Sequence, residues 1–217
     1  QAVAFISGGK EYGVIIAPKH LAFNDTEINR TGVSVFMTEQ QARENELRGT
    51  QAAIEDAGAL GVMTAFNRVG ITATNAHTGL LKNILRGEWG FKGLESQDFI
   101  MNPNYAVLKE YALNGGTMTT FTGENTMAAV SEKFAYWTTE NVGQDTELMS
   151  AIKQAMTWQA YALANSNALD GMASSTRLVS VRTWYDNALV AVQVVFAALT
   201  VLAAAMYVLN DRKSKKQ

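Results

Sequence analysis

The stretch Gly87-Glu88-Trp89-Gly90-Phe91-Lys92-Gly93 runs directly into Leu94-Glu95-Ser96-Gln97-Asp98-Phe99. A predicted helix meets a glycine turn at Gly90, and a second turn at Gly93 opens a short strand that ends at Asp98. In a βα architecture, a carboxylate at the exit of a parallel strand points to the face where active sites are built. This stretch therefore predicts an α/β fold with a polar site at the strand end.

The rest of the chain repeats this alternation of short apolar runs and helical segments. Continuous apolar runs are expected for parallel strands that are covered on both faces. Thr38 followed by Gln41 predicts a capping box at one helix start. Alternating strands and helices predict about four parallel βαβ units. The predicted strands are 14–17, 61–65, 94–97 and 117–121, and the predicted helices are 1–6, 39–57, 76–86, 104–113, 128–138 and 145–166.

Several motifs occur in a fixed order: 19–30 (KHLAFNDTEINR), 38–44 (TEQQARE), 61–67 (GVMTAFN), 80–93 (LLKNILRGEWGFKG) and Asp98-Phe99. In this order and spacing they resemble glycoside hydrolase family 3, the β-glucosidase type. The resemblance implies a (β/α)8 TIM barrel, of which residues 1–170 supply a part, followed by helices. A complete barrel needs about 250 residues, so we expect this chain to be a fragment of a longer polypeptide.

The resemblance implies roles for five side chains. Asp98 stands at the position of the family's nucleophile, which attacks the anomeric carbon in a retaining mechanism. Lys19 and His20 stand at the pair that binds sugar hydroxyls, to which both can donate oriented hydrogen bonds. Phe66 and Phe99 stand where relatives carry aromatic residues near the sugar. Core packing explains these two phenylalanines equally well.

Two positions depart from the family's pattern. Relatives generally carry an apolar residue where Glu95 stands, so we expect the third strand to be distorted. They commonly carry an aspartate shortly after a glycine pair, whereas Thr117 follows Gly115-Gly116 here and puts the end of the fourth strand in doubt. The other charged residues of the motifs are expected to form ion pairs that order loops and helices: Glu27, Arg30, Arg43 and Glu44.

Composition excludes several classes of function. Among 217 residues, 18 are basic and 20 acidic, and the net charge of -2 argues against a nucleic-acid partner. The absence of cysteine excludes disulfides and thiolate metal sites. Two isolated histidines do not have the spacing of metal ligands, and no Gly-Lys-Ser/Thr follows a glycine pair to form a phosphate loop. The sequence therefore predicts neither a metal nor a cofactor.

The end of the chain has the pattern of a membrane anchor. Residues 188–209 form an apolar run interrupted only by Gln193 and Thr200, and about 20 residues suffice to cross a bilayer as a helix. The alternative is a buried helix of a soluble protein. Interfacial aromatic residues flank the run: Trp184, Tyr185 and Tyr207.

The charges around this run predict its orientation. The tail 210–217 is basic, so the positive-inside rule places it in the cytoplasm. Residues 171–187 then form a juxtamembrane linker, and the domain before them lies on the outer side of the cell membrane, which the chain crosses once.

These observations predict a membrane-anchored retaining β-glycosidase that acts on β-glucosides or related oligosaccharides through a covalent intermediate on Asp98. The acid/base residue is not identifiable in this chain, so we expect the fragment alone to be inactive. By the resemblance, the first half-barrel and a second α/β domain precede residue 1 in a permuted order. The alternative is a non-catalytic, membrane-tethered carbohydrate-binding or scaffolding remnant, because an isolated half-barrel exposes unpaired strand edges.

Overall fold

A computed structural model describes residues 1–30, 32–99, 107–120, 137–170, 177 and 179–215. These residues belong to two compact units, Gln1–Gly171 and Met172–Gln217. The first unit contains helices and short strands, and the second contains one long helix.

The first unit alternates helical and extended elements. Its strands are β1 (Ser34–Val35), β2 (Gly61–Thr64), β3 (Arg68–Val69), β4 (Thr72–Ala73) and β5 (Leu94–Gln97). Its α-helices are α1 (Ala2–Glu11), α2 (Glu39–Gln41), α3 (Arg48–Glu55), α4 (Leu108–Leu113), α5 (Thr139–Gln144) and α6 (Thr146–Ala164). Two π-helices, Ala42–Glu46 and Gly79–Glu88, and two 3₁₀ turns, Thr74–Ala76 and Asn167–Leu169, complete it.

Two parallel strands form the centre of the first unit. β2 and β5 pair in regular register from Gly61 opposite Leu94 to Thr64 opposite Gln97. This confirms the second and third predicted strands and the mixed helix-and-sheet architecture. A single parallel bridge lies on each side, from Leu21 to Thr64 and from Ser96 to Met118. Four chain segments therefore run side by side in the order Leu21, β2, β5, Met118.

The two outer segments differ from the prediction. The first predicted strand, 14–17, is wrong, because these described residues form no ladder. Pairing begins one residue later, where Met63 N donates to Pro18 O and Leu21 N donates to Met63 O. The fourth predicted strand pairs with β5 at Met118, and its last residue lies outside the described part of the chain.

Glu95 does not distort β5. It lies opposite Val62 in the regular ladder, and its side chain is fully buried. The expected distortion is therefore wrong. Side chains from other parts of the chain satisfy its backbone, because Glu95 N donates to the hydroxyl of Thr117 at 2.8 Å and the Tyr111 hydroxyl lies 3.0 Å from Glu95 O.

The predicted helices are observed with shifted bounds. The capping box is confirmed: the Thr38 hydroxyl accepts from Gln41 N and the Gln41 side chain accepts from Thr38 N, both at 3.2 Å. The helix that follows includes a π-helical turn. The helix predicted at 76–86 is the π-helix Gly79–Glu88, and Asp145 caps α6 by accepting from Leu148 N. Most of the helix predicted at 128–138 lies outside the described residues.

A small second sheet follows the carboxyl end of β2. β3 pairs in parallel with β1 and antiparallel with β4, in the order β1-β3-β4. The turn between β3 and β4 contains Gly70 at a φ of +59°, a conformation that favours glycine. Each strand has only two residues, too few for a periodic pattern, so the sequence did not predict this sheet.

The core lies between the parallel segments and the helices. Burial of its aliphatic and aromatic side chains supplies the main favourable free energy of folding. Its most buried large side chains are Ile6, Leu21, Leu47, Val62, Leu81 and Leu85.

Among its described residues, the second unit contains one helix, α7 (Trp184–Ser214). Its stretch Trp184–Asp211 has 28 residues, and the most apolar 18-residue window within it has a mean hydropathy of 2.4 and is not buried. The helix is longer at both ends than the predicted 188–209. At its start the Asp186 carboxylate accepts from Thr183 N at 2.8 Å and from the Thr183 hydroxyl at 2.7 Å, which caps the first turn.

Candidate active site

The carboxyl ends of three parallel segments meet at one edge. Thr64, the last residue of β2, pairs with Leu21 on one side and with Gln97 on the other. His20 precedes Leu21 and Asp98 follows Gln97, so the topology brings these two predicted site residues together. Asp98 N also donates to Thr64 O at 3.1 Å, which fixes the strand exit.

The Asp98 carboxylate has a contact at each oxygen. Oδ2 lies 2.9 Å from His20 Nε2, although the pair is not aligned as a hydrogen bond. Oδ1 accepts a hydrogen bond from Phe99 N at 2.8 Å. The Asp98 side chain is 8% exposed and that of His20 16%. The carboxylate is therefore held in one orientation at a nearly closed site.

The charge of His20 is set mainly by burial. Burial lowers the pKa of His20 below 6.5, and the charges of Lys19 and Arg30 lower it further. The Asp98 and Glu27 carboxylates act in the opposite direction. The imidazole is therefore neutral at pH 7.

Phe66 and Phe99 occupy different surroundings. Phe66 is 6% exposed, and the Arg30 guanidinium carbon lies 4.5 Å from its ring centroid. Arg30 also forms the expected ion pair with Glu27 at 2.8 Å. Phe99 is 47% exposed beside Asp98. Phe66 is thus a packed core residue beneath a cation, whereas Phe99 presents its ring at the surface.

Two cationic residues, Lys19 and Arg30, also lie at this edge near His20. The Lys19 side chain is exposed, and both cations are close enough to His20 to lower its pKa. The sequence analysis placed Arg30 only in an ion pair. Its stacking on Phe66 joins a loop residue to a strand exit, and no spacing along the chain indicates such a contact.

The remaining motif charges lie away from this edge. Arg43 forms ion pairs with Glu39 at 2.8 Å and with Glu88 at 2.7 Å, as expected for a structural residue. Glu44 instead accepts a hydrogen bond from Gln40. Within the described ranges, no group of three or more metal-ligating His, Cys, Asp or Glu residues was found.

Known proteins match this chain in sequence. The profile of the glycosyl hydrolase family 3 N-terminal domain matches residues 1–114. Probable beta-glucosidase J of Emericella nidulans is 39% identical over 99 residues, which cover 46% of this chain and 12% of that protein. Beta-glucosidase B of the same organism is 40% identical over 98 residues, covering 45% and 12% respectively.

A solved structure shows a similar fold. Beta-glucosidase 3B of Thermotoga neapolitana, in complex with glycerol, superposes with a TM-score of 0.64 at 24% identity. The match covers 76% of this chain and 23% of that one. The matched part is thus less than a quarter of each of these three proteins.

Proposed function

This chain belongs to glycosyl hydrolase family 3, and from that premise we propose that it carries the nucleophile of a retaining β-glycosidase. The proposed substrates are β-glucosides or related oligosaccharides, since the matching relatives are named beta-glucosidases. The observation that carries the proposal is the buried Asp98 carboxylate at the exit of β5, in contact with His20.

In the proposed reaction, an Asp98 oxygen attacks the anomeric carbon. The bond from that carbon to the leaving oxygen breaks, and the leaving oxygen takes a proton from an acid/base group. Water then attacks the glycosyl-enzyme, returns a proton to that group and releases Asp98. The hydrogen bond from Phe99 N to Oδ1 supports this role, because it holds the carboxylate in one orientation during attack.

Lys19 and His20 are proposed to bind hydroxyl groups of the sugar that is cleaved. A neutral imidazole and an ammonium group can both donate hydrogen bonds to neighbouring sugar hydroxyls. The exposed ring of Phe99 is proposed to face the sugar. The buried ring of Phe66 is proposed to support the site by packing against the Arg30 guanidinium.

We propose that residues 1–170 form part of a TIM barrel, with the four parallel segments as about half of its strands. The acid/base and the other half of the barrel are assigned to the rest of the polypeptide, because this chain matches only 23% of the Thermotoga enzyme. On this view the described residues need those parts for turnover.

We also propose that the second unit anchors the protein in the cell membrane. An unburied apolar helix of this length supports a single crossing. By the positive-inside rule, the basic residues after it support a cytoplasmic tail and a glycosidase on the outer side.

The experiment is to replace Asp98 with Asn in the full-length polypeptide and to measure hydrolysis of an aryl β-glucoside. Loss of covalent catalysis should lower kcat by several orders of magnitude with folding intact. Asp56→Asn is the matched control, because Asp56 is an exposed carboxylate at the end of α3. Near-normal turnover in Asp98→Asn would overturn the proposal.

A further inference from the structure

The 3₁₀ turn Thr74–Ala76 contacts the carboxyl ends of both central strands. Its first residue contacts the exit of β2: the Thr74 hydroxyl lies 2.5 Å from Ala65 O and 3.0 Å from Asn67 O. Thr74 N also donates to Asn67 O. The turn is therefore anchored firmly to β2, the strand that leads to Phe66.

The second residue of the turn contacts the exit of β5. Asn75 Nδ2 donates to Gln97 Oε1 at 2.6 Å, and the two side chains are only 7% and 2% exposed. Within the described residues, Asn75 Oδ1 and Gln97 Nε2 have no hydrogen-bond partner. Breaking this one bond would leave two buried amides unsatisfied, which proteins tolerate poorly.

Gln97 occupies the position that determines where Asp98 lies. It is the last residue of β5, directly before Asp98, and its side chain is the one that reaches the turn. Its own backbone N has only a long hydrogen bond, 3.3 Å to Met118 O. The side-chain hydrogen bond, at 2.6 Å, is shorter than this bond and than the 3.1 Å bond from Asp98 N to Thr64 O.

We propose that Asn75 and Gln97 are positioning residues for Asp98. Their amide pair holds the end of β5 against the turn and, through Thr74, against β2. The carboxylate then stays within reach of the anomeric carbon and of His20. This inference rests on the proposed function of Asp98 as nucleophile. A displacement of about 1 Å at a reacting group can cost about 10²-fold in rate.

The test uses the full-length polypeptide and a 2-deoxy-2-fluoro-β-glucoside with a dinitrophenolate leaving group. This probe forms the bond to the nucleophile without needing the acid. We expect Gln97→Met and Asn75→Leu to slow inactivation by about 10- to 100-fold. The affinity for glucose, a ground-state ligand, should change by less than about threefold, because hydroxyl contacts are unaltered.

A matched control separates positioning from general loss of stability. Asn114 is also buried and donates its side-chain amide to the same turn, at Ala76 O, and within the described residues it forms no side-chain hydrogen bond to β5. Asn114→Leu should lower the melting temperature without slowing inactivation. The exchanged pair, Asn75→Gln with Gln97→Asn, keeps both amides and their combined length, and should recover most of the rate.

The outcomes separate the two proposals. Slow inactivation that the exchanged pair rescues supports positioning. Inactivation at the parental rate in the Asn75 and Gln97 variants overturns it while Asp98 remains the labelled nucleophile. Slowing that merely follows the loss of melting temperature, as judged against Asn114→Leu, overturns it as well. If the single variants do not fold, a folded exchanged pair that stays slow overturns it. Absence of labelling at Asp98 in the parent protein contradicts the proposed function itself.

Discussion

His20 Nε2 lies 2.9 Å from Asp98 Oδ2, although the two residues belong to separate segments on either side of β2. They meet because Leu21 and Gln97 both pair with Thr64, so the residues beside them reach the same edge. A carboxylate and a neutral imidazole in this arrangement suit sugar binding and nucleophilic attack.

Removal of either polar side chain beside Asp98 should weaken transition-state binding. From the change in kcat/KM, Lys19→Ala is expected to cost roughly 1.5–3 kcal/mol of transition-state binding, the range for hydrogen bonds that involve a charged group. His20→Ala removes a neutral donor and is expected to cost about 0.5–1.5 kcal/mol. Activity on deoxy-glucosides that lack the contacted hydroxyl should be less sensitive to the substitution than activity on the parent glucoside.

The control for this prediction is Lys92→Ala, which removes an exposed lysine before β5. If Lys19→Ala and His20→Ala reduce activity equally on every deoxy analogue, the pair has a structural role only.

Glu95 should make stability depend on pH. Burial raises its pKa to about 7, against the opposing effects of Tyr111 and Arg86. The folded state therefore binds a proton that the unfolded state, with a pKa of 4.5, releases. The contribution of Glu95 to the free energy of unfolding should be complete below pH 4.5. It should be lost as pH rises toward 7, by about 3 kcal/mol at most.

The measurement is the free energy of unfolding from pH 4.5 to 8, for the parent and for Glu95→Gln. The amide cannot ionise, so the variant should lack this decline. Glu55→Gln, on the exposed end of α3, is the matched control and should behave as the parent. A decline of equal size in Glu95→Gln would show that another group is responsible.

The apolar helix should anchor the protein. Each charged residue at the centre of a spanning helix costs roughly 2.5–3.5 kcal/mol on insertion scales. Replacing Leu199 and Leu202 with Lys, or deleting everything after Arg182, should therefore release the protein into the soluble fraction. The deletion should leave sugar chemistry unchanged, because the motif residues precede it.

The matched control is Leu199→Val with Leu202→Val, which keeps the helix apolar and should keep the protein on the membrane. Retention of the deleted form would show that α7 is not the only anchor. An impermeant amine reagent should not label Lys215 in intact cells, and labelling there would reverse the predicted orientation.

The sequence predicted the centre of the fold because its signals are local. The run from Gly87 to Asp98 contains the turn glycines that bound the strand, and β5 forms where predicted. Thr38 and Gln41 likewise interact within one turn. Such patterns need no knowledge of distant residues.

Contacts between residues far apart in the sequence explain the two predictions that were wrong. Residues 14–17 are apolar, but the partner strand pairs with Pro18 and Leu21 instead. Glu95 appeared disruptive in a strand, yet Thr117 and Tyr111 satisfy its backbone from other elements. The sequence did not predict the Asn75–Gln97 pair, because no motif or periodic pattern links two amide side chains that are far apart in the sequence.

The most direct test of the central proposal is mass-spectrometric mapping of the full-length polypeptide after inactivation by a 2-deoxy-2-fluoro-β-glucoside. If Asp98 is the nucleophile, a single fluoroglucosyl adduct should be found on the peptide that contains Asp98, and fragmentation should assign it to that carboxylate. Asp98→Asn should carry no adduct. An adduct on another carboxylate, with Asp98 unmodified, would show that Asp98 is not the nucleophile.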